Sequence, residues 1–449
     1  MAKLSRQCLQ KGGKTQGAAD FDRSCSVAAH SPDSVAKKSD LQTNRFVSSQ
    51  FNRDSWGECE RCGRINGRAS FPGCLFEAGL SMSSSLSKIP PGVQYIFDSE
   101  VRVRRYIERE VMTVLDGWSY SEIILPVFDY ADLFVLGMGK EQAEMTYRFT
   151  GRDGSLLALR PEMTSLVART VATRFRGDPR PIRLSYSGEV FRWDEPRGGR
   201  QYEFHQIGFE HIGSDRLEAD TEALVIATEI LRRLGVEGFT ITLGHVDFFK
   251  GIAERLDLDQ DGSREMRNIV DRKDAAGLDV FLSGRADETT RAALCKLVTL
   301  TGGREILREA RSLVENQRSA AALDDLENVY RIAEEIGIDE HIDLDLGDVA
   351  ALDYYTGLTF KIYSSGLGAA LGRGGRYDQL LAKFGNSEPA VGFSLCLDWL
   401  AQLLSNRLAD RLAARDYEAV RLTDGSDIVR TFKEAALLRS QGRKVEIAR

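Results

Sequence analysis

Apolar residues recur every three or four positions in several segments of the chain, and this spacing predicts amphipathic helices. One such segment covers residues 99–115 and is flanked by arginines and glutamates. Its apolar face consists of Val103, Ile107, Val111 and Val114. A second helix is predicted over residues 217–234, followed directly by a glycine that is typical of a helix end.

The remaining pattern predicts strands on either side of a long helical stretch. Strand-like segments read SEIILPVFDY, FTITLGH, HIDLDLGDV and DYYTGLTFKIY. Pro126 places the first of these at a sheet edge or an interface. Helical spacing dominates from about 246 to 340, which predicts an inserted helical subdomain. Because strands and helices follow each other without regular βαβ alternation, we predict an α+β fold with an antiparallel sheet.

The same pattern divides the chain into three parts. Residues 1–81 are rich in small and charged residues and lack any sustained period, so we expect a disordered or mis-called N-terminal extension, with the true start at Met82. Residues 82–405 form the predicted core, which contains the helical insertion. Residues 406–449 are expected to form a short α/β tail, with YEAVRLTDGS and GRKVEI as strands around a helix.

Composition narrows the classes of function. The 449 residues are 42% hydrophobic, which suffices for a large core, and acidic residues outnumber basic ones by 67 to 60. No overall positive field would attract nucleic acid. Apolar runs fall short of the ~20 residues of a membrane helix, and the N-terminus has no hydrophobic signal region. We therefore expect a cytoplasmic protein without membrane or nucleic-acid partners.

Motifs for metal ions, phosphate loops and nucleophilic catalysis are missing from the sequence. Cys59 and Cys62 form a Cys-x-x-Cys pair, but no second pair with ligand spacing follows. No Ser-His-Asp elbow or Walker loop occurs. His205 and His211 lie with apolar residues in a strand and are predicted to be core or interface histidines. We expect neither a metal nor a cofactor.

The segment YSGEVFRWDEPRGGRQYEFHQIGFEHIG is the most informative part of the chain. It predicts two strands joined by an arginine-rich loop that contains glycine. In the second strand, a period of two places Gln206, Gly208 and Glu210 on one face. The glycine leaves room for a small ligand between an amide and a carboxylate, groups suited to an amino group or an imidazole N–H. An edge strand with a solvated face and a glycine bulge is the alternative.

Three further segments carry candidate chemistry. Tyr355 shares the polar face of DYYTGLTFKIY, although a tyrosine is also simply a strand-forming residue. LALRPEMTSLVART places Glu162 and Thr164 at a turn or helix start, where backbone N–H groups and these side chains would be free. GRGGRYDQLL is interpreted as a glycine turn that opens a helix near residue 378, a candidate anion site or a tight connection.

Taken in order, these motifs resemble the catalytic core of histidyl-tRNA synthetase from about residue 92 to 400. Motif one corresponds to residues 99–126, and motif two runs from FRWDEP to FHQIGFE. The histidine-specific elements are LRPEMT and LDYYTGLTF, and motif three runs from GGRYDQLLAKFG through PAVGFSLCLDWL. The resemblance implies a class II aminoacyl-tRNA synthetase-like antiparallel sheet of six strands flanked by helices. It also implies a self-dimer through motif one and a pocket for histidine.

The resemblance also assigns roles to individual residues. Six of them fall on positions that hold histidine in that family: Glu162, Thr164, Gln206, Glu210, Tyr355 and Tyr377. Arg192 falls on the motif-two arginine that grips the ATP α-phosphate, and we interpret it as a vestigial nucleotide-binding residue.

Two departures from the family pattern indicate that the chemistry has been lost. Ala350 stands where the family has an arginine that steadies the carboxylate and phosphate during adenylation, and Trp399 stands where motif three has a second ATP-binding arginine. Removing one preorganised donor typically costs about 3 to 4 kcal/mol of transition-state stabilisation. The tail after the core is also too short for a full anticodon-binding domain.

A chain with these losses resembles the regulatory subunits of ATP phosphoribosyltransferase. That resemblance implies a chain without catalytic residues of its own, which acts with a short-form catalytic subunit in the first step of histidine biosynthesis. Histidine would then be its effector. The alternative is an active histidyl-tRNA synthetase, favoured by Arg192, Glu195 and Arg200 in the motif-two loop. A paralogue that senses or modifies tRNA is a third hypothesis, which the acidic balance disfavours.

Overall fold

The computed structural model describes residues 88–193, 202–256, 258–349, 354–413, 419–423 and 427–448. Several features of the sequence analysis lie outside these ranges. They are residues 1–81, Cys59, Cys62, Glu195, Arg200 and Ala350.

Helices and strands alternate irregularly along the described chain. The helices are α1 (Asp98–Gly117), α2 (Ala131–Met138), α3 (Lys140–Glu144), α4 (Thr164–Arg174), α5 (Leu217–Leu234), α6 (Val246–Ala253), α7 (Gln260–Asp271), α8 (Ala275–Leu282), α9 (Glu288–Leu297), α10 (Glu305–Ser312), α11 (Gln317–Ile336), α12 (Leu397–Ala413) and α13 (Ile428–Ser440). The strands are β1 (Ser121–Glu122), β2 (Phe128–Tyr130), β3 (Arg148–Thr150), β4 (Leu156–Leu159), β5 (Ile182–Phe191), β6 (Glu203–Ile212), β7 (Phe239–His245), β8 (Thr301–Gly302), β9 (Ile342–Asp345), β10 (Leu358–Ser364), β11 (Gly372–Arg376), β12 (Ala390–Cys396), β13 (Val420–Thr423) and β14 (Val445–Ala448).

The central sheet has the strand order β1-β5-β6-β12-β11-β10-β7-β9-β8. The six strands from β5 to β7 in this order pair antiparallel throughout. This confirms the predicted antiparallel class II sheet. Parallel pairing at the edges of the sheet was not predicted. In the structure β1 pairs with β5 and β9 pairs with β7 in parallel, so the complete sheet is mixed.

One face of the sheet packs against helices and forms the larger hydrophobic core. Apolar side chains of β6 meet those of α1, α5 and α12 there, and Ile107, Ile207 and Phe209 are fully buried. The ring of Phe209 lies 4.9 Å from that of Phe393 on the neighbouring strand β12. The alternation of β6 therefore follows the predicted period of two, and its apolar positions face helices while its polar positions face the other way.

The opposite face of the sheet carries a second, smaller core. It is built from α2, α4 and a three-stranded sheet of order β2-β4-β3, together with Leu184 and Tyr186 of β5. Tyr354, Tyr355 and Tyr377 belong to this core. Polar residues of the central sheet are thus enclosed between the sheet and α4.

Helices α6 to α11 connect β7 to β9, with the two-residue strand β8 between α9 and α10. Their boundaries have simple local causes: the side chains of Asp259, Asp274, Asp287 and Asn316 each accept a hydrogen bond from the backbone N–H three residues later. The buried residues of these helices join the larger core rather than a separate one. The helices therefore extend the packing of the central sheet.

The chain after the sheet begins with α12, which runs through residue 405, where the sequence analysis ended the core. Beyond it, β13 and β14 pair in parallel, with α13 between them along the chain. Within the described residues, no helix is both long enough and apolar enough to cross a bilayer.

Shortening a side chain that is buried between α1 and the central sheet tests the packing of the larger core. We expect Ile107→Ala to lower the free energy of unfolding by about 2 to 5 kcal/mol, because the lost burial is joined by a cavity. Urea denaturation followed by circular dichroism measures the change. Val101→Ala, on the exposed side of the same helix, is the matched control and should change little. Equal losses in the two variants would contradict the assignment of this face of α1 to the core.

Candidate functional site

A cavity opens between the second core and the face of the central sheet that points away from the large helices. The space between the atoms of the cavity and its open mouth, solvent included, is about 460 Å³. All six residues that the sequence analysis assigned to histidine binding line it, and so does Arg192. The other lining residues are Met138, Tyr354, Arg373, Gly392, Phe393 and Ser394.

The carboxylate of Glu210 lies at the centre of this site and is almost completely buried. Its Oε1 accepts hydrogen bonds from Thr164 Oγ1 at 2.7 Å and from the Tyr186 hydroxyl at 3.1 Å. Its Oε2 accepts one from the Tyr377 hydroxyl. Burial raises the pKa of Glu210 to about 7, against the opposing effect of the hydroxyl donors. The group therefore changes charge near neutral pH in the absence of a ligand.

A glycine makes this buried carboxylate possible. Gly392 of β12 is paired directly with Glu210 in the ladder, and a Cβ at position 392 would overlap Glu210 Oε2. The strand pattern had indicated Gly208 as the source of the open space, and this prediction was wrong. A Cβ on Gly208 would overlap the backbone oxygen of Phe393, so Gly208 serves the close approach of β6 and β12.

Glu162 occupies the start of α4, as the LRPEMT motif predicted. Both of its carboxylate oxygens accept from the backbone N–H of Ser165, at 3.0 and 3.1 Å. The N–H groups at this helix start are therefore not all free, contrary to the expectation from sequence. Burial raises the pKa of Glu162. Arg160 fixes the preceding turn, since its guanidinium donates to the backbone oxygens of Leu125 and Glu189.

The tyrosines approach the cavity from loops rather than from strands. Tyr355 was predicted within a strand, but β10 begins only at Leu358. The ring centre of Tyr354 lies 4.9 Å from that of Tyr355 and 5.7 Å from that of Tyr377. The cavity wall is therefore a cluster of three aromatic rings with hydroxyl groups.

The glycine-rich segment before Tyr377 also differs from its prediction as a turn that opens a helix. Gly372–Arg376 form strand β11, and only a short 3-10 turn, Leu381–Phe384, follows. The backbone N–H of Tyr377 donates to the oxygen of Ala390 at 2.7 Å, which holds the tyrosine against β12. Neighbouring strands impose this extended conformation on residues with little preference for it.

Two arginines line the cavity, and one of them was missed. Arg192 donates from Nε to the backbone oxygen of Pro161 at 2.7 Å, and its guanidinium lies 5.1 Å from the ring centre of Phe204. Burial lowers the pKa of Arg192, and the positive charge of Arg373 lowers it further. Arg373 was overlooked because it sits among the glycines that had been interpreted as a turn.

Trp399 lies at the position where the resemblance implies a second ATP-binding arginine. Its indole is partly buried against the larger core and is not among the groups that line the cavity. His205 and His211 share a face of β6 with Ile207 and Phe209, and they do not line the cavity either. His211 is buried, with Nδ1 3.6 Å from Glu222 Oε1, and His205 Nε2 lies 2.7 Å from Ser187 Oγ.

The raised pKa of Glu210 predicts a pH-dependent stability of the ligand-free protein. The folded state binds this proton more tightly than the unfolded state, so the stabilising contribution is complete below about pH 4.5 and is lost as the pH rises through 7. Relative to the unchanged protein, Glu210→Gln should therefore gain about 3 kcal/mol of unfolding free energy between pH 4 and pH 8. Urea denaturation at several pH values measures this difference.

Glu288→Gln on the exposed side of α9 is the control for this titration. Its carboxylate is well exposed, so the substitution should leave the pH profile of stability unchanged. If the unfolding free energy depends on pH in the same way in Glu210→Gln and in the unchanged protein, the pKa of Glu210 is not raised.

Comparison with known proteins agrees with this geometry. The sequence model of the histidyl-tRNA synthetase family matches residues 92–400. The ATP phosphoribosyltransferase regulatory subunit of Moorella thermoacetica is 37% identical over 366 residues, which cover 81% of this chain and 93% of that protein. The protein of the same name from Syntrophotalea carbinolica is 36% identical over 356 residues, covering 79% of this chain and 83% of that protein.

A solved structure is similar over the same region. The ATP phosphoribosyltransferase regulatory subunit/histidyl-tRNA synthetase from Bacillus halodurans superimposes with a TM-score of 0.71 at 26% identity, covering 80% of this chain and 92% of that one. Sequence and structure thus select one group of proteins. The chain belongs to the family of ATP phosphoribosyltransferase regulatory subunits, which is built on the class II fold of histidyl-tRNA synthetase.

Proposed function

We propose that this chain regulates a separate, short-form ATP phosphoribosyltransferase catalytic subunit and that it binds histidine as a feedback effector in the cavity around Glu210. The two proteins together would carry out the first step of histidine biosynthesis. The observation that supports this most directly is a buried carboxylate, held by three hydroxyl groups in a cavity, in a member of a regulatory-subunit family.

The cavity has the chemistry that a histidine molecule requires. An ionised Glu210 attracts an ammonium group or accepts from an imidazole N–H, and the Gln206 amide both donates and accepts. The rings of Tyr354 and Tyr355 offer flat apolar surface to an imidazole. Burial from water strengthens each of these interactions, because the local dielectric constant is low.

A non-catalytic role follows from the family and agrees with the site. The relatives are named as regulatory subunits. At position 399 an indole packs against the core where the synthetase motif has a cation. Amino-acid activation moves negative charge between phosphoryl groups and depends on fixed cations at such positions. The groups proposed to recognise the amino acid are retained, whereas this cation is replaced.

Regulation requires that histidine binding and the state of the catalytic subunit influence each other. Coupling free energies between sites are typically about 1 to 3 kcal/mol and are reciprocal. Ligands of the catalytic subunit should therefore also change the affinity of this chain for histidine.

We also propose a self-dimer through the motif-one region. Large apolar side chains around β1 and β2 are exposed in the single chain: Ile124 is 91% exposed, and Phe128 and Tyr130 are more than half exposed. Exposed apolar groups that cluster in one region are typical of protein interfaces. A second copy of the chain would cover them.

Mixing tests the proposed regulation. Added to a purified short-form catalytic subunit, the chain should raise the rate of ATP phosphoribosyltransferase activity, and histidine should then inhibit the mixture. Neither effect is expected with the catalytic subunit alone. An unchanged rate together with unchanged inhibition would contradict the proposal. Histidine-dependent ATP–pyrophosphate exchange by the isolated chain would instead support the alternative of an active synthetase.

Removing one hydroxyl tests whether the cavity is the histidine site. Tyr377→Phe deletes a donor to Glu210, so the carboxylate loses a partner and we expect histidine affinity to fall about tenfold, as measured by isothermal titration calorimetry. Tyr363→Phe, on a tyrosine that does not line the cavity, is the control and should bind normally. Unchanged affinity in Tyr377→Phe would place histidine elsewhere.

A further inference from the structure

We infer that Arg373 and Arg192 form the anion-binding half of the cavity and that Arg373 receives the carboxylate of the bound amino acid. In this arrangement Arg373, from β11, supplies the positive charge that the resemblance places at position 350. The inference rests on the proposed function, because it concerns how the same cavity recognises its ligand.

The register of the central sheet directs Arg373 toward the cavity. Arg373 is paired with Ser394 of β12, and Ser394 is paired with Gly208 of β6. Residues paired directly in antiparallel strands share one face of a sheet, and Ser394 lines the cavity. The adjacent row on the same face consists of Gly375, Gly392 and Glu210. Arg373 and Glu210 therefore point to the same side of the sheet from neighbouring rows.

The cavity is lined by two buried carboxylates, Glu162 and Glu210, and by two guanidinium groups, Arg192 and Arg373. The charges of Arg192 and Glu162 act on each other. Neither Arg192 nor Arg373 has a carboxylate within ion-pair distance among the described residues. Lys361, paired with Arg373 across β10 and β11, already forms an ion pair with Asp348 at 2.5 Å. The two guanidinium groups are thus the positive charges available to an anion in the cavity.

Two like charges that face one cavity repel each other, and a bound anion relieves this repulsion. The positive charge of Arg373 contributes to the lowered pKa of Arg192. A guanidinium presents a planar pair of donors that matches a carboxylate in a bidentate arrangement. Arg373 is therefore complementary to the α-carboxylate of an amino acid, and Glu210 to its cationic or N–H groups.

The size of the site agrees with this orientation. Arg373 and Glu210 are separated by two residues along the strands, about 7 Å, and by two strand spacings across the sheet, about 10 Å. A histidine molecule whose carboxylate and imidazole point in opposite directions fits between two side chains placed in this way. A phosphate group shares the same anion chemistry, so the test includes a nucleotide.

The experiment measures ligand affinity of the full chain by isothermal titration calorimetry. The proteins are the unchanged chain, Arg373→Met, Arg373→Lys and the control Arg105→Met, which replaces an exposed arginine on α1. The ligands are histidine, histamine, which lacks the carboxylate, and AMP. We expect Arg373→Met to weaken histidine binding about tenfold to a hundredfold and to leave histamine binding unchanged.

The two other variants sharpen this result. Arg373→Lys should recover part of the affinity for histidine, since it restores the charge but not the bidentate donors. Arg105→Met should bind both ligands like the unchanged protein. Retained histamine binding in Arg373→Met also establishes that the cavity of this variant is folded.

Several outcomes would overturn the inference, and they separate it from the proposed function. Equal histidine affinity in Arg373→Met and the unchanged protein would overturn the carboxylate role alone. A parallel loss of histidine and histamine binding would assign Arg373 to the shape of the cavity, and a loss confined to AMP would assign it to a phosphate. If the unchanged protein binds no histidine, the proposed function and this inference fail together.

Discussion

A carboxylate can be buried in an apolar interior only if hydrogen-bond donors surround it, and Glu210 imposes this requirement on much of the chain. Its donors come from the start of α4, from β5 and from the loop after β11. These segments are far apart in sequence and meet only when the antiparallel ladder has its observed register. The same register places Gly392 beside the carboxylate, where a larger residue would not fit. The polar contacts of the site therefore depend on the same strand register that builds the sheet.

The alternation of β6 was predictable from sequence because its two faces have different surroundings. Ile207 and Phe209 pack against helices, whereas Gln206 and Glu210 face the cavity. Periodicity alone left an ordinary solvated edge strand as an equal alternative. Glu162 was singled out because it lies at a turn or helix start, whereas Tyr377 was assigned only through the resemblance to a family, since it does not lie in a strand whose period could assign it to a face.

The features that were missed depend on neighbours that are distant in sequence. Glycine carries no side chain, so the β11 segment shows no alternation, and its extended conformation follows from pairing with β10 and β12. Arg373 was missed for that reason. Gly208 and Gly392 both allow close packing, but only the strand register reveals which one lies beside Glu210. The mixed edges of the sheet likewise depend on short strands with weak local patterns.

The packing of Trp399 has a consequence for the history of such chains. An indole that is partly buried against a hydrophobic core contributes buried apolar surface to stability. Replacement by arginine would remove part of that apolar surface and so lower the free energy of unfolding. A return of arginine to position 399, as adenylation chemistry would require, would therefore come with a loss of stability.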